Sequence, residues 1–136
     1  MVKIEKVRDV TIKKGTKYSE GYDISLPDTL FLHPNQVTIF KVGVKLNIQV
    51  GAYVEVHPRS SMLFKHSLIA QVGIIESDFK GELGYAFYNP TNELKTFKKG
   101  DFLLQLIPKL SSGIVLPADV MTREIRGDGG FGSTGR

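Results

Sequence analysis

The chain has no cysteine, which excludes disulfides, thiolate zinc sites and cysteine nucleophiles together. It also lacks any apolar run near the roughly 18 to 20 residues needed to cross a bilayer. Residues 1–14 alternate charged and apolar side chains instead of building the long apolar centre of a signal peptide. Both absences predict a cytoplasmic, intracellular protein without membrane contact. The three histidines, His33, His57 and His66, do not stand at metal-ligand spacing and read as structural or surface residues. A serine hydrolase built from Asp23, His57 and Ser60 is disfavoured as well. No Gly-x-Ser-x-Gly elbow surrounds Ser60, and a histidine three residues away on an extended chain is badly placed to take its proton.

What is present fits one soluble domain. A length of 136 residues supports a single core, and hydrophobic and charged fractions of 41% and 24% are those of a globular chain. The net charge of +4 suits an anionic ligand such as a nucleotide. Clustered basic residues such as Lys13-Lys14 and Lys98-Lys99 read as solvated turns, so direct nucleic-acid binding is not expected.

Periodicity is that of strands. Phe40, Val42, Val44, Leu46 and Ile48 alternate with Lys41, Gly43, Lys45 and Asn47, a half-buried strand. Val37 and Ile39 are out of phase with that row, which predicts a bulge or bend near Ile39-Phe40. Further strands are expected at Val2 to Val7, Tyr22 to Ser25, Ala52 to His57, Leu68 to Val72, Leu83 to Asn89, Phe102 to Ile107 and Gly113 to Leu116. Turn signals such as Pro27-Asp28, Pro34-Asn35, Gly51 and Lys99-Gly100-Asp101 separate them. Many short punctuated strands predict an all-β, jelly-roll-like double sheet. One short helix is expected at Ser61 to Lys65, capped by Ser60 or Ser61.

The stretch Val72 to Gly81 reads as the first arm and tip of a β-hairpin, with Glu76 and Asp78 on one face and Ile75 and Phe79 on the other while the strand stays regular. Such a carboxylate pair suits a general base or a metal, and equally an ordinary polar turn. The chain then ends in Arg126-Gly127-Asp128-Gly129-Gly130-Phe131-Gly132-Ser133-Thr134-Gly135-Arg136. Glycines of this density build no packed element alone. They do let backbone N–H groups approach an anion closely, with Arg126 and Arg136 supplying charge and Phe131 a stacking face. The expected organisation is one domain over 1–136, a β-core over 1–122 and a flexible C-terminal arm over 123–136.

Taken in order, Glu20-Gly21-Tyr22-Asp23-Ile24, Pro58-Arg59-Ser60-Ser61, Gly73 to Gly81, Gly100-Asp101 through Gln105-Leu106-Ile107, and Arg126 to Gly135 resemble the five motifs of the trimeric dUTP diphosphatases, or dUTPases. The resemblance implies a jelly-roll homotrimer with three active sites at subunit junctions. One subunit supplies the first, second and fourth motifs, a neighbour the hairpin, and the third its arm. The implied substrate is dUTP with Mg²⁺, and the products are dUMP and diphosphate.

Carried onto this chain, the resemblance makes Glu76 the base, Gln105 the holder of the water or an α-phosphate oxygen, and Arg59, Ser60 and Ser61 phosphate contacts. Asp23 meets the magnesium through coordinated water, with no direct protein ligand. Main-chain groups of the paired hairpin arms around Gly73 and Ile75 read uracil, and Phe79 packs under the deoxyribose. Arg126 takes the terminal phosphate, Phe131 covers the uracil, and Gly132, Ser133 and Thr134 meet the β/γ oxygens. Two positions depart from the family pattern. Phe79 stands where tyrosine is usual, and Glu76 where aspartate is. The second departure keeps open a dUTP-binding regulator of low turnover. The related dCTP deaminases use a glutamate on the strand after the hairpin, and Gly84-Tyr85-Ala86-Phe87-Tyr88 offers no carboxylate there.

Overall fold

The computed structural model describes residues 1–120. In chain order the elements are β1 (Val2–Lys6), β2 (Ile12–Lys14), β3 (Tyr22–Ser25), β4 (Leu30–Leu32), β5 (Gln36–Ile48), β6 (Ala52–Pro58), α1 (Ser60–Phe64), β7 (Gly73–Ile75), β8 (Glu82–Asn89), β9 (Lys95–Phe97) and β10 (Phe102–Leu110). They form a three-stranded sheet β1-β5-β8, a five-stranded sheet β2-β3-β10-β6-β7 and a two-stranded ribbon β4-β9. Every ladder is antiparallel. The core is shared by β5 and β8 (Val42, Val44, Leu83, Phe87) and by β3, β6 and β10 (Ile24, Val54, Val56, Leu104, Leu106), all buried.

The long strand β5 shows why one apolar row runs unbroken along it. Lys41 pairs with Gly84 and Lys45 with Glu82, so four steps along β5 meet two along β8. Two extra residues are an even number, and the inward phase of Phe40, Val42, Val44, Leu46 and Ile48 survives the bulge. The irregularity therefore lies at Lys41 to Lys45 and not at the expected Ile39-Phe40. Val37 and Ile39 point outward on a regular stretch, 64% and 61% exposed.

Gly43 has φ 93°, and a Cβ there would stand 2.9 Å from a Val10 methyl, so both conformation and space require glycine. Its N–H donates to Glu82 Oε2 at 3.1 Å, and its carbonyl accepts from the Val7 and Arg8 N–H groups. Arg8 Nε donates to the same Glu82 oxygen at 2.8 Å, and that bond is the chief reason the Glu82 carboxyl is held below the usual carboxylate range.

Other expectations were off by local detail. Leu68 to Val72 makes only an isolated bridge, Ile69 to Tyr88, and Gly113 to Leu116 forms no strand. The helix begins one residue early. Its N-cap is Arg59, with no side-chain capping bond, and not Ser60 or Ser61. The two arms around the Glu76 turn do not form one ladder: β7 pairs with β6, while β8 pairs with β5 in the other sheet.

Asn89, fully buried at the end of β8, ties the ribbon to the body. Its Nδ2 donates to the carbonyls of Leu32 (2.9 Å) and Glu93 (2.7 Å), and its Oδ1 accepts from the N–H and hydroxyl of Thr91. Asn89→Leu strands several of these groups. The expected loss is about 3 kcal/mol, read from urea unfolding followed by tyrosine emission, since the chain has no tryptophan. A midpoint equal to the parent's would show that the bracket contributes nothing.

Candidate active site

The five-stranded sheet turns one face to the core and the other outward. Across the outward face, register lines up Lys13 with Asp23, Asp23 with Gln105, and Gln105 with His57. Directly opposed residues of an antiparallel pair share a face at Cβ separations of about 5 Å, so these four form one polar row. Glu55, two residues before His57 on β6, accepts or shares a hydrogen bond with His57 Nε2 at 2.7 Å.

Arg59 follows directly after β6, and β10 holds it there. A bulge between Phe102 and Leu104 interrupts the pairing with β3, and such bulges re-aim the groups at a strand end. The Leu103 carbonyl accepts the Arg59 N–H at 2.8 Å, and the Phe102 carbonyl accepts Nη1 at 3.5 Å. Arg59 Nε also lies 3.7 Å from Asp23 Oδ1, with the guanidinium side chain 42% exposed. A contact that long and exposed adds little stability. It leaves the guanidinium fork facing solvent, where a phosphate can engage it with two donors. Ser60 and Ser61 begin α1 beside it, Ser60 exposed and Ser61 half-buried.

Gln105 is seated against Gly21. A Cβ added at Gly21 would collide with Gln105 Oε1 and lie 3.1 Å from its Cδ. Gly21 thus leaves the space that the Gln105 amide occupies. Nothing in the spacing of Glu20-Gly21-Tyr22-Asp23 reveals this role; it needs the β3–β10 pairing.

The hairpin carboxylate stands elsewhere. Ile75 pairs with Val54, so Glu76 is level with Tyr53, four residues before His57. At about 3.3 Å per residue that is roughly 13 Å along β6, beyond the reach of either side chain. Phe79 N–H donates to the Glu76 carbonyl at 3.1 Å, closing a turn over Ser77-Asp78. The strand alternation expected for Glu76 and Asp78 therefore stops at Ile75. Glu76 is exposed and Asp78 half-buried, while Ile75 and Phe79 both pack against the core. Arg126, Phe131, Gly132, Ser133 and Thr134 lie outside the described residues. One chain thus gathers Asp23, Arg59 and Gln105 at one end of β6, sets Gly73 level with Val56 near them, and carries Glu76 toward the other end.

A family model described as dUTPase matches residues 8–135. The chain belongs to the dUTPase family. It is 34% identical over 129 residues to a deoxyuridine 5'-triphosphate nucleotidohydrolase of Paramecium bursaria Chlorella virus 1, covering 92% of this chain and 89% of the relative. Among solved structures, the dUTPase of Streptococcus mutans superposes with TM-score 0.75 at 23% identity, covering 82% of this chain and 98% of that one. A dUTPase of phage phi11 of S. aureus, described as coordinating a structural Mg(II) ion, superposes with TM-score 0.73 at 21% identity, covering 91% and 97%. The jelly-roll-like arrangement of this dUTPase is that of its structural relatives.

Gly21→Ala tests the seat of Gln105. A crystal structure of the variant is expected to show the sheet intact and the Gln105 Cδ moved by at least about 0.5 Å, the least that restores ordinary carbon–carbon contact. An unmoved Gln105 beside a displaced β3 would contradict the assignment.

Proposed function

We propose that this dUTPase hydrolyses dUTP to dUMP and diphosphate as a homotrimer whose sites are each completed by neighbouring chains. The observation that carries the reading is the register of β6, which separates Glu76 from Asp23, Arg59 and Gln105 within one chain. A base that far from the phosphate-binding cluster acts there only if it comes from another copy. In the proposed trimer, β3, β6 and β10 of one chain face the β7 turn of a second, and the arm over 123–136 comes from the third.

In that site Glu76 takes a proton from water as the water oxygen bonds to the α-phosphorus in line with the departing bridging oxygen. The phosphorus–oxygen bond to the β-phosphate breaks, and diphosphate leaves. Gln105 orients the water or an α-phosphate oxygen. Arg59 and the hydroxyls of Ser60 and Ser61 meet the charge on the phosphates. Arg126 binds the terminal phosphate, Phe131 covers the base, and Gly132, Ser133 and Thr134 meet the β/γ oxygens.

Asp23 offers one half-buried carboxylate on the outward row. A single hard oxygen donor fits Mg²⁺ held through coordinated water, since that ion keeps waters and takes further ligands from phosphate. When bound, the ion neutralises phosphate charge.

Selectivity follows from main-chain groups at Gly73 and Ile75. Uracil O4 is an acceptor where cytosine carries a donor, and two facing donors cost more than a missing bond. The Phe79 ring under the sugar leaves no room for a 2′-hydroxyl. The proposed function limits uracil incorporation into DNA and supplies dUMP, and the proposed location is the cytoplasm. Among the described residues, no helix is long and apolar enough to cross a membrane.

Glu76 in place of aspartate extends the carboxylate by roughly 1.3 Å, and a 1 Å misplacement can cost about a hundredfold in rate. Diphosphate release from dUTP with Mg²⁺ is expected to fall at least about a hundredfold in Glu76→Gln, and to persist or rise in Glu76→Asp. Full activity in the glutamine variant would remove Glu76 from the mechanism. Tight dUTP binding with negligible dUMP release by the parent would favour the regulator instead.

A further inference from the structure

We propose that Tyr85 is a positioning residue for β7 and, through it, a determinant of base selectivity; this rests on the reading of β7 as the element that recognises the base. β7 is only three residues long and pairs with β6 on one side. Among the described residues, no strand pairs with its other side. So short an edge ladder does little to hold its own position.

The second fastening comes from the opposite sheet. The Tyr85 hydroxyl on β8 donates to the Gln71 carbonyl at 2.6 Å, two residues before β7 begins. The ring runs beneath the strand itself, its Cε1 3.9 Å from where a Gly73 Cβ would stand. Phe40 and Phe87 hold that ring edge-on, with centroids at 6.3 and 5.6 Å, and Tyr85 is 5% exposed. Burial pushes the phenol up to about 12, so the hydroxyl keeps its proton and remains a donor across the working range.

The consequence is geometric. The ring sets the height of Gly73 above the core, and the hydroxyl sets where the chain enters the strand. Main-chain recognition depends on sub-ångström placement, because its donors and acceptors cannot swing as side chains do. A β7 edge that rides loose still accepts a pyrimidine nucleotide but distinguishes uracil from cytosine less well.

Tyr85→Phe keeps the ring and removes the clamp. The expected result is a KM for dUTP raised about three- to tenfold, the range of one net hydrogen bond, with kcat at saturation unchanged. The preference for dUTP over dCTP in kcat/KM falls by a similar factor. Phe40→Leu loosens the same aromatic cluster without touching the hydroxyl, and is expected to lower the melting temperature while shifting KM and selectivity less than Tyr85→Phe does. If Phe40→Leu shifts selectivity as much as Tyr85→Phe, the clamp is only part of the core packing and the inference is wrong. Unchanged KM and selectivity in Tyr85→Phe, in a parent that hydrolyses dUTP, overturns the inference and spares the reading of the site. A parent that releases no diphosphate from dUTP overturns both.

Discussion

The site depends on β6 being paired on both sides at once. On one side β10 matches it residue for residue from Leu104–Pro58 to Leu110–Ala52. On the other, β7 matches only its Val54–Val56 portion. The first pairing brings Gln105, with Asp23 paired to it across β3, level with His57 and hands Arg59 to the Phe102 and Leu103 carbonyls. The second carries Glu76 toward the opposite end, level with Tyr53. Sheet register changes only in whole residues, and a one-residue slip would turn buried Val54 and Val56 to solvent. The separation of the proposed base from the Asp23, Arg59 and Gln105 cluster is therefore set by register, and the proposed chemistry calls for assembly between chains.

The two bulges serve different ends. In β5 the pair of extra residues preserves the inward phase, and the disruption is closed by Gly43, Glu82 and Arg8, away from the polar row. In β10 the single extra residue leaves both Leu103 and Leu104 buried, each 1% exposed, and frees main-chain carbonyls at the position where Arg59 leaves β6. Arg59 is thus anchored through its backbone while its charged end stays half-exposed beside Asp23. That is a suitable resting state for a group proposed to bind a phosphate, because a tight buried ion pair would have to be broken before binding.

Much of this fold could be read from periodicity, because half-buried strands alternate visibly. Tyr22 to Ser25 and the Phe40–Ile48 row came out in the right phase, and Ala52 to His57 within a residue at its end. The three-residue strands β2, β4 and β9 did not, since so few residues carry no period. Leu68 to Val72 looked like a strand because apolar residues dominate it, yet only Ile69 finds a bridging partner. For the site, the residue types at Asp23, Arg59, Gln105 and Glu76 were legible through their motifs. Their grouping was carried only by the family resemblance and by no local pattern of residues, because it follows from which strands are neighbours. Gly21 and Tyr85 were invisible for the same reason: the contacts that give them meaning, with Gln105 and Gln71, are long-range or cross-strand.

The shared site is most directly tested by complementation. Arg59→Ala chains and Glu76→Gln chains, each inactive alone, are unfolded together in equal amounts and refolded as a mixture. If each site takes its Arg59 and its Glu76 from different copies, random assembly restores about a quarter of the sites, and with them about a quarter of the parent's dUTP hydrolysis. A mixture as inactive as its two parents, with trimers verified by light scattering, would contradict the account.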